Sequence, residues 1–416
     1  MSASNPAASR PDDIGARLEW AVRAGHPHYV WPHVPMPDWR RASGAVAAAI
    51  GTYLEQGSAN LAVEGLEDAT VVAAFTAGVG PLLAWWAERG TLTISPAVRD
   101  RLDLHLHHAR RRAQRQDDAL RALLPPLPPP QPALVLKGFH TARTYFPDPA
   151  TRPTVDIDLV AAPGRRHELE SALRSLGYRR TNVFHQPYRA EWVAGGSDRR
   201  LHSLDFAHAD DPVTFDIHDT TTRTFHGTRT LHLGEGSDAW EPVPGLPSPI
   251  MGLRQPWLTG FLAMTTTEDL KHLQLVKLVE LTLVIRQDTA RGILDWSALA
   301  ELIAERDAWP FVFPALALTD RLAPGTVDQR ILEQGRAASP RRLVHIVKDR
   351  PLGALQQLDR PSLADRFVWC RSGADYLRCA WSILQPARTN ATPLATVLRQ
   401  RFYRLRRGRV GFRGGP

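Results

Sequence analysis

Apolar and polar positions follow a helical period over most of the chain, with one interruption in the middle. Residues 45–56 and 69–89 are rich in alanine and leucine, and Ser95-Pro96 opens a long helix to about residue 124 with its proline near the first turn. From Thr267 the helical pattern returns. Leu270, Leu273, Leu281 and Val284 form the apolar side of a helix predicted over 268–286, and Asp295 caps another that begins at Trp296. Further helical segments are predicted over 315–322, 327–335, 341–350 and 363–384.

Between these helical stretches the period shortens to two. Val155-Asp156-Ile157-Asp158-Leu159-Val160 alternates apolar and acidic residues as a strand does. Upstream, the short apolar run 133–136 ends at Lys137-Gly138, after which 139–145 reads as a short helix. Downstream, 163–177 is amphipathic, with Leu169, Leu173 and Leu176 on one stripe and Gly177 as the stop. Residues 188–193, 201–208 and 213–218 then read as a meander, broken at Gly195-Gly196 and at Asp210-Asp211-Pro212. The predicted class is α+β: a small mixed-sheet core over 131–235, an N-terminal helical region over 1–130 and a C-terminal helical bundle over 236–416 that ends in a basic tail. The proline run PPLPPPQP at 125–132 is a stiff connector that marks the first boundary.

The middle stretch also collects the candidate chemistry. In a strand Asp156 and Asp158 share a face with Cβ atoms roughly 6–7 Å apart, and such a pair can converge on divalent ions; hard oxygen ligands suit Mg²⁺ or Mn²⁺. A plain surface strand, acidic outward with Val155, Ile157 and Leu159 inward, is the competing reading. The order strand, Lys137-Gly138, helix offers backbone N–H groups and a positive dipole end to a phosphate. Lysine occurs at only four positions against 47 arginines, so Lys137 is a distinctive counter-charge. Asp216, on a strand face with Thr214 and His218 and opposite Phe215 and Ile217, is a candidate third carboxylate. Asp205 on 203–206 is its rival.

The run Leu136-Lys137-Gly138, then Arg152 four residues before the Asp156-Ile157-Asp158-Leu159 strand, then Phe215-Asp216-Ile217-His218, resembles the uncharacterised bacterial nucleotidyltransferase family of the DNA-polymerase-β-like superfamily. The resemblance spans about 75–335 and is most specific over 134–218. It implies a glycine turn that holds a nucleoside triphosphate through Lys137, Gly138 and Arg152. It also implies catalytic Mg²⁺ or Mn²⁺ on Asp156, Asp158 and Asp216, and transfer of a nucleoside monophosphate to an acceptor. One departure is Phe139, where the wider superfamily usually has serine; it leaves open a catalytically degenerate, antitoxin-like binding or regulatory protein.

Composition narrows the picture less. The net charge of +8 and pI near 9.9 permit nucleic-acid binding, but the arginines are scattered and no aromatic-rich RNA-binding signature accompanies them. Phe402, Tyr403 and Phe412 alternate with arginines in the tail, a segment suited to an acidic partner, nucleic acid or an anionic membrane face, with a solvated chain end as the plain reading. His26, His28 and His33, and again His105, His107 and His108, fit no metal-ligand spacing. Two cysteines, Cys370 and Cys379, read as reduced thiols, and no stretch of 18 apolar residues or signal segment is present, so a cytoplasmic protein without a membrane span is expected.

Overall fold

Helix α1 (Met36–Gln56) begins earlier than the sequence suggested, because Pro37 sits in its first turn, where a missing N–H costs nothing. The computed structural model describes residues 34–61, 63–126, 133–181, 189–196, 212–225, 229–270, 273–354 and 367–384. Several sequence readings lie outside these: the His26, His28 and His33 group, Leu127 to Pro132 of the connector, the 201–208 strand with Asp205, and the basic tail.

The stretch predicted as one helix over 69–89 is two, α2 (Glu67–Thr76) and α3 (Gly80–Glu88), bent by 116°. Gly78 makes the break with φ of +73°, and a Cβ there would fall 2.7 Å from the Val276 side chain. Short strands β1 (Ala59–Leu61) and β2 (Leu92–Ile94) pair in parallel, and the long α4 (Pro96–Leu123) follows.

The central sheet has seven strands. In chain order these are β3 (Ala133–Val135), β4 (Ile157–Val160), β5 (Arg179–Arg180), β6 (Arg189–Val193), β7 (Thr214–His218), β10 (Trp240–Pro242) and β11 (Ile250–Leu253). A separate hairpin of β8 (Arg223–Phe225) and β9 (Arg229–Leu231) lies between β7 and β10. The spatial order is β10-β11-β3-β4-β7-β6-β5, with parallel pairings β11–β3 and β4–β7 and antiparallel pairings elsewhere. The sheet therefore runs on to Leu253, beyond the expected boundary at 235. Helix α5 (Lys137–Thr144) follows β3, and α6 (Arg166–Ser175) follows β4.

One sheet face packs Val135, Ile157, Leu159, Phe215 and Ile217 against Leu169 and Leu173 of α6 and Leu120 and Leu123 of α4. Val155 is 52% exposed and does not join them, since the strand starts only at Ile157. Leu176 is likewise exposed at the end of α6.

The region expected as one helix over 268–286 is also divided. Helix α7 (Trp257–Glu268) ends at Asp269, and α8 (Leu275–Ala290) starts beyond Gln274. Helices α9 (Trp296–Glu305), α10 (Trp309–Leu322), α11 (Gln329–Ala338), α12 (Arg341–Asp349) and α13 (Gly373–Leu384) complete the C-terminal part. Asp295 caps α9 as expected, accepting from Ser297 N at 2.8 Å. Cys370 and Cys379 are buried and not joined in a disulfide. Among the described residues no single helix is long and apolar enough to cross a membrane.

Candidate active site

Register brings the acidic residues together. In the parallel pair β4–β7, Asp158 lies opposite Asp216, and Val160 lies opposite His218, so the period-two pattern of both strands turns Asp158, Asp216 and His218 to one side. Ligand atoms of these three side chains all lie within 4.8 Å of one another. His218 Nε2 is 3.0 Å from Asp158 Oδ1 and 3.4 Å from Asp216 Oδ2. All three residues are buried.

Asp156 precedes the strand and is half-buried, one face-repeat from Asp158. Burial, and then the charge of Asp158, push its carboxyl above the usual carboxylate range. Asp158 moves the other way. Burial alone would raise it, but the Lys137 ammonium at 3.1 Å and the His218 hydrogen bond hold it well below the usual range. Asp216 is also held low against its burial, by His218 and by an ion pair with Arg189. The two carboxylates in turn raise His218 against the opposing effect of burial. Arg189 comes from β6, where Glu191 faces Asp216 across the ladder and accepts a hydrogen bond from Thr181 Oγ1 at 2.6 Å.

The turn leading into α5 is shaped by close approach. Lys137 has φ of +34°, an uncommon conformation for a side-chain-bearing residue, and the Leu136 N–H donates to the Asp158 carbonyl at 3.1 Å. A Cβ on Gly138 would lie 2.9 Å from the Thr154 methyl and 3.1 Å from Arg152 Nη2, so glycine alone fits without displacement. Phe139 turns into the apolar core with Val135 and Ile157, and the Arg143 guanidinium sits 3.4 Å above its ring. Its side chain therefore does not face the carboxylates. Arg152 is buried beside the turn, with Nη2 donating to Glu280 Oε2 at 2.9 Å.

The structure thus brings Lys137, Asp156, Asp158 and Asp216 into one electrostatic neighbourhood, adds His218 to it, and sets Gly138 and Arg152 against its edge. Sequence reasoning assigned no metal-ligand role to His218, although the Asp-x-His alternation signals one. Arg189 and Arg223 were missed: Arg189 pairs with Asp216, and Arg223 lies near enough to perturb both Lys137 and Asp158 while reaching Glu268 Oε2 at 3.6 Å. Neither carries a distinctive mark among so many arginines.

The donor set fits a divalent cation. Two carboxylates and an imidazole converge, and the buried Asp216 Oδ1 has no hydrogen-bond partner among the described residues. Comparisons with curated proteins and with solved structures gave no match. The sequence profile of a family described as uncharacterised nucleotidyltransferase matches residues 67–324, a span that runs from α2 through the sheet to α10 and contains every residue of the site. The chain belongs to this nucleotidyltransferase family.

Proposed function

We propose that the chain moves a nucleoside monophosphate from a nucleoside triphosphate to an acceptor hydroxyl, releasing pyrophosphate. The observation that carries this reading is the buried convergence of Asp158, Asp216 and His218 beside the Lys137-Gly138 turn, in a chain of the nucleotidyltransferase family. Asp158, Asp216 and His218 would hold Mg²⁺ or Mn²⁺, and Asp156 would contribute to a second ion. When bound, such ions neutralise charge on the entering and leaving oxygens.

The chain's own residues do the rest. Lys137 exchanges its contact with Asp158 for the triphosphate, and the Gly138 N–H, at the positive end of α5, meets a phosphate oxygen. Arg189, which pairs with Asp216, is a further counter-charge beside the carboxylates. Asp216 orients the acceptor hydroxyl and accepts its proton. The competing reading, a binding or regulatory protein without turnover, was suggested by Phe139. Its side chain lies in the core and supplies no hydroxyl to the turn, and turnover decides between the two readings.

The test uses triphosphates labelled at the α or the γ phosphate, incubated with Mg²⁺ and cell extract. Label from the α position should enter a product with matching release of pyrophosphate, and Asp158→Asn should abolish both. Transfer of the γ label instead would refute nucleotidyl transfer.

A further inference from the structure

The segment that enters the metal strand is strapped from two sides. Glu280 lies in the middle of α8 between Val279 and Leu281, all three buried. A carboxylate in such surroundings requires charged or hydrogen-bonding partners. Among the described residues it has two, both from the turn region: Arg152 Nη2 donates to Oε2 at 2.9 Å, and Thr141 Oγ1 of α5 donates to Oε1. Thr141 Oγ1 also lies 3.1 Å from the carbonyl of Lys137. The same guanidinium fills the space beside Gly138 and donates through Nη1 to the Pro153 carbonyl at 3.0 Å. From the other side α4 grips the next residues. Arg112 donates to the carbonyls of Thr154 at 3.1 Å and Val155 at 2.5 Å, and Gln116 exchanges hydrogen bonds with Thr154.

We infer that Arg152 and Glu280 are positioning residues: a buried strut that fixes the Lys137-Gly138 turn and the approach to Asp156 against α8. Nucleotide affinity depends on their ion pair and not on direct contact between the Arg152 guanidinium and the triphosphate. This rests on the reading of that turn as the triphosphate site. Two observations separate the strut from a phosphate ligand. Arg152 is buried and spends one nitrogen on Glu280 and another on the backbone. Lys137, by contrast, is 31% exposed and faces the carboxylates directly.

A double-mutant cycle tests it on the full chain. Mn²⁺-dependent binding is measured for ATP, GTP, CTP and UTP, and the tightest is carried through Arg152→Ala, Glu280→Gln and the double variant. Mn²⁺ alone is titrated by electron paramagnetic resonance. Each single change should weaken nucleotide binding about tenfold, and the double should be no weaker than either, since both remove one coupled unit. Mn²⁺ binding without nucleotide should stay within about twofold, a result that general unfolding would not give. Loss with Arg152→Ala but wild-type affinity with Glu280→Gln would overturn the inference and make Arg152 a direct ligand. Unchanged affinity in both would overturn it as well. If Glu280→Gln fails to fold, Glu280→Asp, which keeps the charge but shortens the strut, is judged by the same outcomes. Asp158→Asn serves as the separate control: if it keeps Mn²⁺ binding and turnover, the functional reading fails whatever the strut does.

Discussion

Asp156 and Asp158 are two residues apart yet should respond oppositely to neutralisation. Asp158 is 6% exposed and faces Lys137 Nζ at 3.1 Å and His218 Nε2 at 3.0 Å, so Asp158→Asn deprives both of the carboxylate they share. Removing one partner of a buried pair costs about 3–5 kcal/mol, and Lys137 can recover part of that through its exposed portion, so about 2–3 kcal/mol of destabilisation is expected. Burial weighs most against the charged form of Asp156, and the like charge of Asp158 comes next. At the roughly 6.5 Å of a strand repeat, and an effective dielectric constant of about 20, that repulsion is about 2–3 kcal/mol. Lys137 and Arg189 offset most of it, so Asp156→Asn should stabilise the metal-free protein by about 1 kcal/mol. The assay is urea denaturation in EDTA at pH 7.5. That pH lies above the ordinary carboxylate range, and a carboxylate held low in the folded state contributes its full stability there, losing it only as pH falls through the folded value. A stabilised Asp158→Asn, or an Asp156→Asn variant more than about 1 kcal/mol less stable, would refute this division of roles.

Gly138→Ala should lower nucleotide affinity and cost about 1–3 kcal/mol, because the new methyl meets the Thr154 methyl at 2.9 Å and the strut behind it; equilibrium binding and melting of the variant check this. Arg112→Ala should cost about 1–3 kcal/mol in urea denaturation, by freeing the Val155 carbonyl and removing one of the two hydrogen bonds that the Thr154 carbonyl accepts. His140 is buried, and its imidazole is lowered to about 4 by burial, which the charge of Glu280 opposes only in part. Its unfolded form takes up a proton first, so stability is full above about pH 6.5 and falls as pH drops towards 4, by about 2 kcal/mol at pH 5. His140→Leu should remove that share of the pH slope, and an unchanged slope would assign it to other groups.

The chemistry-bearing part of the fold was legible because it is local. The alternation through Asp156 and Asp158, the Lys137-Gly138 turn and the Phe215-Asp216-Ile217-His218 strand each declare a period and a face within six residues. What joins them is not local. The pairing of Asp158 with Asp216 depends on strand register, and side-chain pattern alone does not exclude a slip of two residues, which keeps every side chain on its face. Glu280, Arg112 and Gln116 each stand alone in helices and act on residues about 40 to 130 positions away, so no period marks them. The break at Gly78 was hidden because both flanking helices are apolar nearly all round, leaving no change of pattern to read. Strands β10 and β11 are three and four residues long, and one contains Pro242, features that weaken a strand signal.

The central claim is that Asp158, Asp216 and His218 hold the divalent ion against which a nucleoside triphosphate is aligned. Its most direct test is anomalous scattering from crystals grown with Mn²⁺ and a triphosphate analogue that cannot be cleaved between its α and β phosphates. The account predicts a manganese peak bounded by these three side chains, with the triphosphate against Lys137 and the Gly138 amide and with Arg152 still joined to Glu280. A manganese peak elsewhere, with Asp216 still paired to Arg189 and nucleotide bound away from the turn, would contradict it.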